Sequence, residues 1–235
     1  MKRILLTLLL SASAWLSVGA VDFMDTNPCE NLFRLGVRMG VNTTNRTVDV
    51  VGYNRQNWGT GFDAGIVADL NIREYIAIQP GVFFQSRSGS YTFISRSNQI
   101  SSPDHYLIQA GHHRSYNVSI PVMVSMRFNL SETLRWQVEA GPYLSVVMGS
   151  KYWNDELLST GEKLEYKPYF TQKPATLDFG LKFGTGMEIA DHYYLGVHYM
   201  AGLTKAYKNG WVEDNFLQVF GGHTKGWTFT IGYNF

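Results

Sequence analysis

Apolar and polar residues alternate with period two through most of the chain after residue 30, and the alternation falls into eight blocks. In the first, Phe33, Leu35, Val37, Met39 and Val41 are interleaved with Arg34, Gly36, Arg38, Gly40 and Asn42. The second sets Phe62, Ala64, Ile66, Ala68 and Leu70 against Gly61, Asp63, Gly65, Val67 and Asp69. The same scheme recurs over residues 75–85, 116–128, 134–146, 177–188, 193–204 and 227–235. Successive side chains leave a strand on opposite sides, so each block predicts a strand with one apolar and one polar face.

The two faces differ in more than polarity. The polar face is dominated by Gly, Ser and Asn with charges of both signs, whereas a water-facing sheet is usually rich in Lys, Glu and Thr. Small residues suit the narrow interior of an eight-stranded barrel. The apolar face is almost free of charge along all eight blocks, which predicts contact with hydrocarbon. Connections point the same way. Long gaps at 43–57, 88–114, 149–174 and 206–222 alternate with short ones at 71–74, 129–132 and 190–192. Short periplasmic turns and long external loops produce that alternation. The predicted fold is all-β: an eight-stranded antiparallel up-and-down transmembrane barrel over residues 33–235, with both termini in the periplasm.

Aromatics gather near block ends, as expected of two interfacial girdles. Phe33, Tyr75, Phe128, Trp136, Tyr193 and Phe235 mark the periplasmic side. Tyr116, Tyr152, Trp153, Tyr207 and Trp227 mark the other. The terminal Tyr233 and Phe235 fit the aromatic signal read by barrel-insertion machinery.

The first twenty residues read as an export leader. Lys2 and Arg3 precede an apolar run from Ile4 to Leu10, and Val18-Gly19-Ala20 is an acceptable cleavage site. The run is too short to span a bilayer as a helix. Residues 21–32 form a short periplasmic segment before the barrel. Of the 20 Lys and Arg, two lie in the leader, leaving 18 against 19 Asp and Glu. A near-neutral mature chain offers no basic patch for nucleic acid. Cys29 is the single cysteine, so an intrachain disulfide is excluded, and the residues before it do not suit lipid attachment.

Several phrases follow in order: Gly61-Phe62-Asp63-Ala64-Gly65, Ile78-Gln79-Pro80-Gly81, Ser119-Ile120-Pro121-Val122, Val138-Glu139-Ala140-Gly141-Pro142-Tyr143 and Gly232-Tyr233-Asn234-Phe235. In these the chain resembles the outer-membrane β-barrel domain family of Bacteroidetes-type bacteria, which includes the PorT-like proteins. The resemblance implies the fold and says little about activity. PorT-like members are linked to protein secretion, and no residue here singles out that branch.

Candidate chemistry lies in two places. The inward face carries Arg34, Arg38, Arg127, Arg135 and Lys182 against Asp63, Asp69, Glu139, Asp178 and Glu188. Equal numbers of each sign predict a self-neutralising network that plugs the lumen, since buried charges must be paired. The competing reading is a gated ion or proton path, which for the whole protein means a small-solute or ion channel. The external loops are the second place. Tyr152, Trp153 and Tyr169 in the third loop and Trp211 in the fourth are candidates for recognising a protein or glycan partner.

A lipid A-modifying enzyme would need a nucleophile and base within reach at one rim. His105, His112 and His113 lie near Ser101, Ser102, Asp104 and Ser115, with His223 at the same rim, but no recognised catalytic motif is present. His112 and His113 are adjacent, so on a strand they diverge and do not chelate together. His198 is expected to be a hydrogen-bonded lumen residue. No cofactor or metal is implied. The expected partners are outer-membrane lipid and lipopolysaccharide, the insertion machinery, and a macromolecule at the loops.

Overall fold

A computed structural model describes residues 22–46, 49–50, 53–96, 106–158, 175–205, 219–220 and 222–235. The strands are β1 (Phe33–Arg46), β2 (Asp49–Val50), β3 (Tyr53–Arg73), β4 (Ile76–Arg96), β5 (Tyr106–Ser131), β6 (Leu134–Leu158), β7 (Leu177–Ile189), β8 (Tyr193–Gly202), β9 (Val219–Phe220) and β10 (Thr224–Asn234). Eight of them close in the order β1-β10-β8-β7-β6-β5-β4-β3, while β2 and β9 form a separate two-stranded sheet. Antiparallel β1 and β10 make the closing seam, from Gly36 opposite Asn234 to Arg46 opposite Thr224. The eight predicted segments are thus the eight barrel strands.

Burial follows the alternation and inverts the order of a water-soluble protein. Met39, Val41, Phe229 and Ile231 are all more than half exposed on the outer face. Asp63, Asn117, Ser125 and Glu188 are essentially inaccessible on the inner one. Such a surface is stable only when hydrocarbon covers it. A hollow of about 910 Å³ lies on this outer side among Met39, Phe62, Trp136, Leu195 and Phe229. Thr185, in its lining, takes a 2.6 Å hydrogen bond from the Trp136 indole and donates to the Gln137 carbonyl at 2.8 Å.

Strands run further than the alternation predicts. The expected connection 43–57 contains the end of β1, all of β2 and the start of β3. The expected 88–114 is shortened by β4 and β5, and 149–174 by β6. Beyond the bilayer both faces meet water, so the apolar period disappears while backbone pairing continues. Tyr152 and Trp153 therefore stand on β6, opposite His113 and His112, and not in a loop. Tyr169 and Trp211 lie outside the described residues.

Among the described residues the extension is one-sided, apart from the short β2–β9 pairing. β3 to β6 have 21, 21, 26 and 25 residues, against 14, 13, 10 and 11 for β1, β7, β8 and β10. Pairing of β6 with β7 ends at Val146–Leu177, whereas β5 and β6 stay paired up to Leu107–Leu158. A four-stranded crown therefore rises from one side of the barrel.

At the periplasmic end the hairpins are tight. In the β7–β8 turn, Ala190 and Asp191 have φ of 50° and 60°, and the His192 amide donates to the Ile189 carbonyl at 3.2 Å. Two successive left-handed residues let the three-residue connection 190–192 reverse the chain tightly. The segment before β1 is strapped across neighbouring strand ends. The Asn71 amide donates to the Leu32 carbonyl and the Asn129 amide to the Phe23 carbonyl, both at 2.9 Å. Cys29 donates its thiol hydrogen to the Asn71 carbonyl, and the Phe23 ring stacks on Phe128 at 5.0 Å.

If hydrocarbon covers the outer face, Ile231→Arg, which stands between Met39 and Leu195 in the sheet, is expected to cost about 2–4 kcal/mol. Equilibrium unfolding by denaturant in lipid vesicles measures this.

Candidate functional site

Inward-pointing side chains fill the lumen in three tiers. Nearest the periplasm, Arg34 of β1 reaches Glu188 of β7 at 2.8 Å and Asp69 of β3 at 3.2 Å. Arg127 of β5 meets the same Asp69 oxygen at 2.7 Å. Two side-chain amides add to these: Gln79 donates to Asp69 and Gln137 to Glu188, at 2.8 and 2.7 Å. Arg135 sits at the mouth between Glu74 and Asp191, both at 3.6 Å, and Glu188 at 3.9 Å. Strands far apart in sequence are thus joined through the interior by hydrogen-bonded ion pairs.

The middle tier is less conventional. Glu139 of β6 forms a short contact with His198 of β8 and accepts the Tyr194 hydroxyl at 2.9 Å. Arg38 lies with its guanidinium 4.2 Å from the centre of the Tyr194 ring. Lys182 stands over Phe83 at 5.3 Å. Among the described residues Arg38, Lys182 and Asp63 make no direct ion pair, so three members of the predicted network depend on rings, backbone oxygens and longer-range attraction. The Arg38 guanidinium donates to the Val37 and Tyr233 carbonyls at 3.2 and 3.4 Å. The rings fit because the wall beside them is glycine. A Cβ on Gly186 would come within 2.6 Å of the Tyr194 ring, and one on Gly196 would collide with its hydroxyl.

In the outer tier Arg87 of β4 pairs with Asp178 of β7 at 2.7 Å and donates to Gln85 at 2.8 Å. Tyr143 donates to Asp178 at 3.3 Å, and Arg46 to Ser115 at 2.6 Å. Arg87 is the partner that the sequence reading misses. Gln79, Phe83 and Gln85 carry the inward parity straight to it, but the apolar half of the period ends at Phe84, so the alternation predicts a segment that stops two residues short of Arg87. Inside, the described residues leave a central cavity of about 40 Å³ beside Lys182, Tyr194 and His198, and another of about 170 Å³ at the periplasmic mouth.

The rim histidines do not converge. His113 is buried and His112 exposed on successive positions of β5, and exposed His223 lies 3.1 Å from the Thr204 carbonyl. His105, Ser101, Ser102 and Asp104 lie outside the described residues. Tyr233 and Phe235 face outward at the periplasmic end with ring centres 5.3 Å apart, and Tyr233 also contacts Tyr193 at 5.6 Å.

Residues 23–208 match the model of a family described as outer membrane protein beta-barrel domain. The chain belongs to that family. The match stops short of β10, the strand that closes the barrel, and it places the protein in the outer membrane. Solved structures of similar fold include Ail, the attachment invasion locus protein of Yersinia pestis, at 12% identity and a TM-score of 0.38, covering 87% of this chain and 100% of that one. Neisserial surface protein A is 13% identical with a TM-score of 0.38, covering 86% and 97%. OprG from Pseudomonas aeruginosa is 8% identical with a TM-score of 0.43, covering 92% and 99%. None of the curated proteins matches the sequence.

Asp69 joins two arginines, and Asp69→Ala leaves the buried Arg127 without its anion while Arg34 keeps only Glu188, so the change is expected to destabilise by about 3–5 kcal/mol. Urea unfolding in vesicles, read by tryptophan fluorescence, tests this against Val41→Ala on the lipid face, expected to cost less.

Proposed function

We propose that this outer-membrane barrel performs no chemistry and works through its outer crown and external loops as a binding, scaffold or secretion-accessory protein. The observation that carries this reading is the division of labour along β3 to β6. Their lower halves close the barrel, and their upper parts rise well beyond the shorter strands. Strand pairing so far outside the bilayer adds nothing to membrane insertion, and a rigid projecting sheet is a surface for partners. The lumen supports the same reading, since ion pairs cross its inner and outer tiers, Glu139, His198 and Tyr194 fill the middle one, and the central cavity has room for little more than water.

A PorT-like role in a Bacteroidetes-type envelope is the more specific form of the proposal. It rests on the ordered phrases from Gly61 to Phe235, together with export through a leader cleaved after Ala20 and an insertion signal at Tyr233 and Phe235. Proteins or glycans at Tyr152, Trp153, Tyr169 and Trp211 are the partner classes in view.

One observation favours a second reading, an ion path. Lys182 and Arg38 line the central cavity, and neither they nor Asp63 have a direct counter-ion among the described residues. A lipid-modifying enzyme ranks third. Glu139, His198 and Tyr194 are an acid–base group, but they are enclosed in the lumen, and among the described residues no serine hydroxyl touches them.

Two measurements separate these readings. In planar bilayers the wild-type barrel is expected to show no sustained unitary currents, and ion-selective openings that disappear in Lys182→Met would replace the proposal by the channel. In pull-downs from envelope extracts, trimming β4–β5 and β6 above Arg87 and Val147 is expected to abolish partner capture. Capture of the same partners by the trimmed barrel would defeat the proposal.

A further inference from the structure

On the outer surface above the lipid-facing belt, Arg114 of β5 stands directly opposite Lys151 of β6. Both are exposed. Neither has a hydrogen bond, ion pair or ring contact among the described residues. Like charges facing each other across an antiparallel pair repel, so this arrangement lowers stability unless something anionic joins it.

The pair exists because of a bulge. Below it, β6 points Tyr143 and Ser145 inward, and an unbroken strand would carry that parity on to Lys151 and bury it in the lumen. The register shifts where Tyr116 pairs with Gly149 but Asn117 pairs with Val147. Met148 is the extra residue, thrown outward with 68% exposure. Above the shift Ser150 faces Ser115, a fully buried lumen residue, and Lys151 comes out beside Arg114. Bulges commonly re-aim one side chain, and here the result is a second cation next to the first.

Height matters as much as direction. Tyr116 is the next outward residue below Arg114 and stacks on Phe84 at 6.1 Å. Beneath it run Ile120, Val122 and Val124, all outward, down to Phe128 and Trp136, whose rings are 5.4 Å apart. From Phe128 to Tyr116 the strand climbs about 28 Å along the membrane normal, at roughly 3.3 Å per residue and 45° of tilt. That is the hydrocarbon thickness, so Arg114 and Lys151 stand about 5 Å above it, at the level of lipid headgroups. A third cation, Lys225, lies at the same end over Trp58 at 5.8 Å. Asp22, Asp25, Glu30, Glu74, Glu132 and Asp191 lie at the opposite, periplasmic end, and the first acidic residue beyond Lys151 on β6 is Asp155, four positions further out.

We propose that Arg114 and Lys151 hold a phosphate group of an outer-leaflet phosphoglycolipid, whose acyl chains lie down the apolar strip of β5 and β6. The guanidinium supplies a bidentate fork, the ammonium a point charge, and the phosphate cancels the repulsion between them. The site is independent of whichever partner the crown takes.

The full mature chain, folded in neutral detergent, is titrated with diphosphorylated lipid A, with the same lipid dephosphorylated, and with inorganic phosphate, and binding is followed by native mass spectrometry. Arg114→Gln and Lys151→Gln are each expected to weaken binding of the phosphorylated lipid about five-fold, and the double variant roughly twenty-five-fold. Binding of the dephosphorylated lipid should not change. Lys151→Glu relieves the repulsion, so it is expected to keep or raise the unfolding midpoint while losing the phosphorylated lipid. Wild-type affinity in the double variant, equal loss of both lipids, or competition by inorganic phosphate as effective as the lipid itself would each overturn the proposal.

Discussion

Closure of the sheet is the constraint from which the other features follow. In hydrocarbon an amide or carbonyl without a partner costs several kcal/mol, so a strand can enter only if both of its edges are paired. The β1–β10 seam removes the last free edge within the bilayer. Closing eight strands also fixes the bore, which is just wide enough for side chains to fill. The inner face therefore becomes a core made of polar groups, and its charges demand compensation from across the lumen, by ion pair, ring face, backbone oxygen or longer-range attraction. Asp69 and Glu188 are answers to that demand, each holding cations from two strands.

The fold was legible because lipid enforces a strict period. Leu181 and Phe183 flanking Lys182, or Val37 and Met39 flanking Arg38, can point only one way once one side is hydrocarbon. The candidate site was legible only as a set of inward residues. Which of them would touch depends on strand stagger, and alternation carries no information about stagger. That is why Glu139 meets His198 while Lys182 settles over Phe83, and why Arg87 supplies the partner of Asp178. The same limit explains the crown. Above the bilayer no solvent difference separates the two faces, so β4, β5 and β6 continue with no apolar period to announce them.

Interruptions of the period carry most of the information about function. An even alternation specifies a cylinder and nothing more. The register shift at Met148 changes which face Lys151 occupies, the glycines opposite Tyr194 let an aromatic ring lie flat in a bore built for small residues, and the unequal strand lengths give the cylinder a distinct side. Each departs from the repeat at a cost in local packing or pairing, and each places a group where the repeat would not.

The strap ahead of β1 has a consequence for how the cylinder is made. Until β10 arrives, β1 is an outermost strand with one side unmatched, the situation in which sheets slip or join a neighbour. Residues 22–32 tie that strand to the ends of β3 and β5 through Asn71 and Asn129, which are present long before the last strand is delivered. A growing sheet therefore has its first strand clamped in register from below, waiting for the final one to dock.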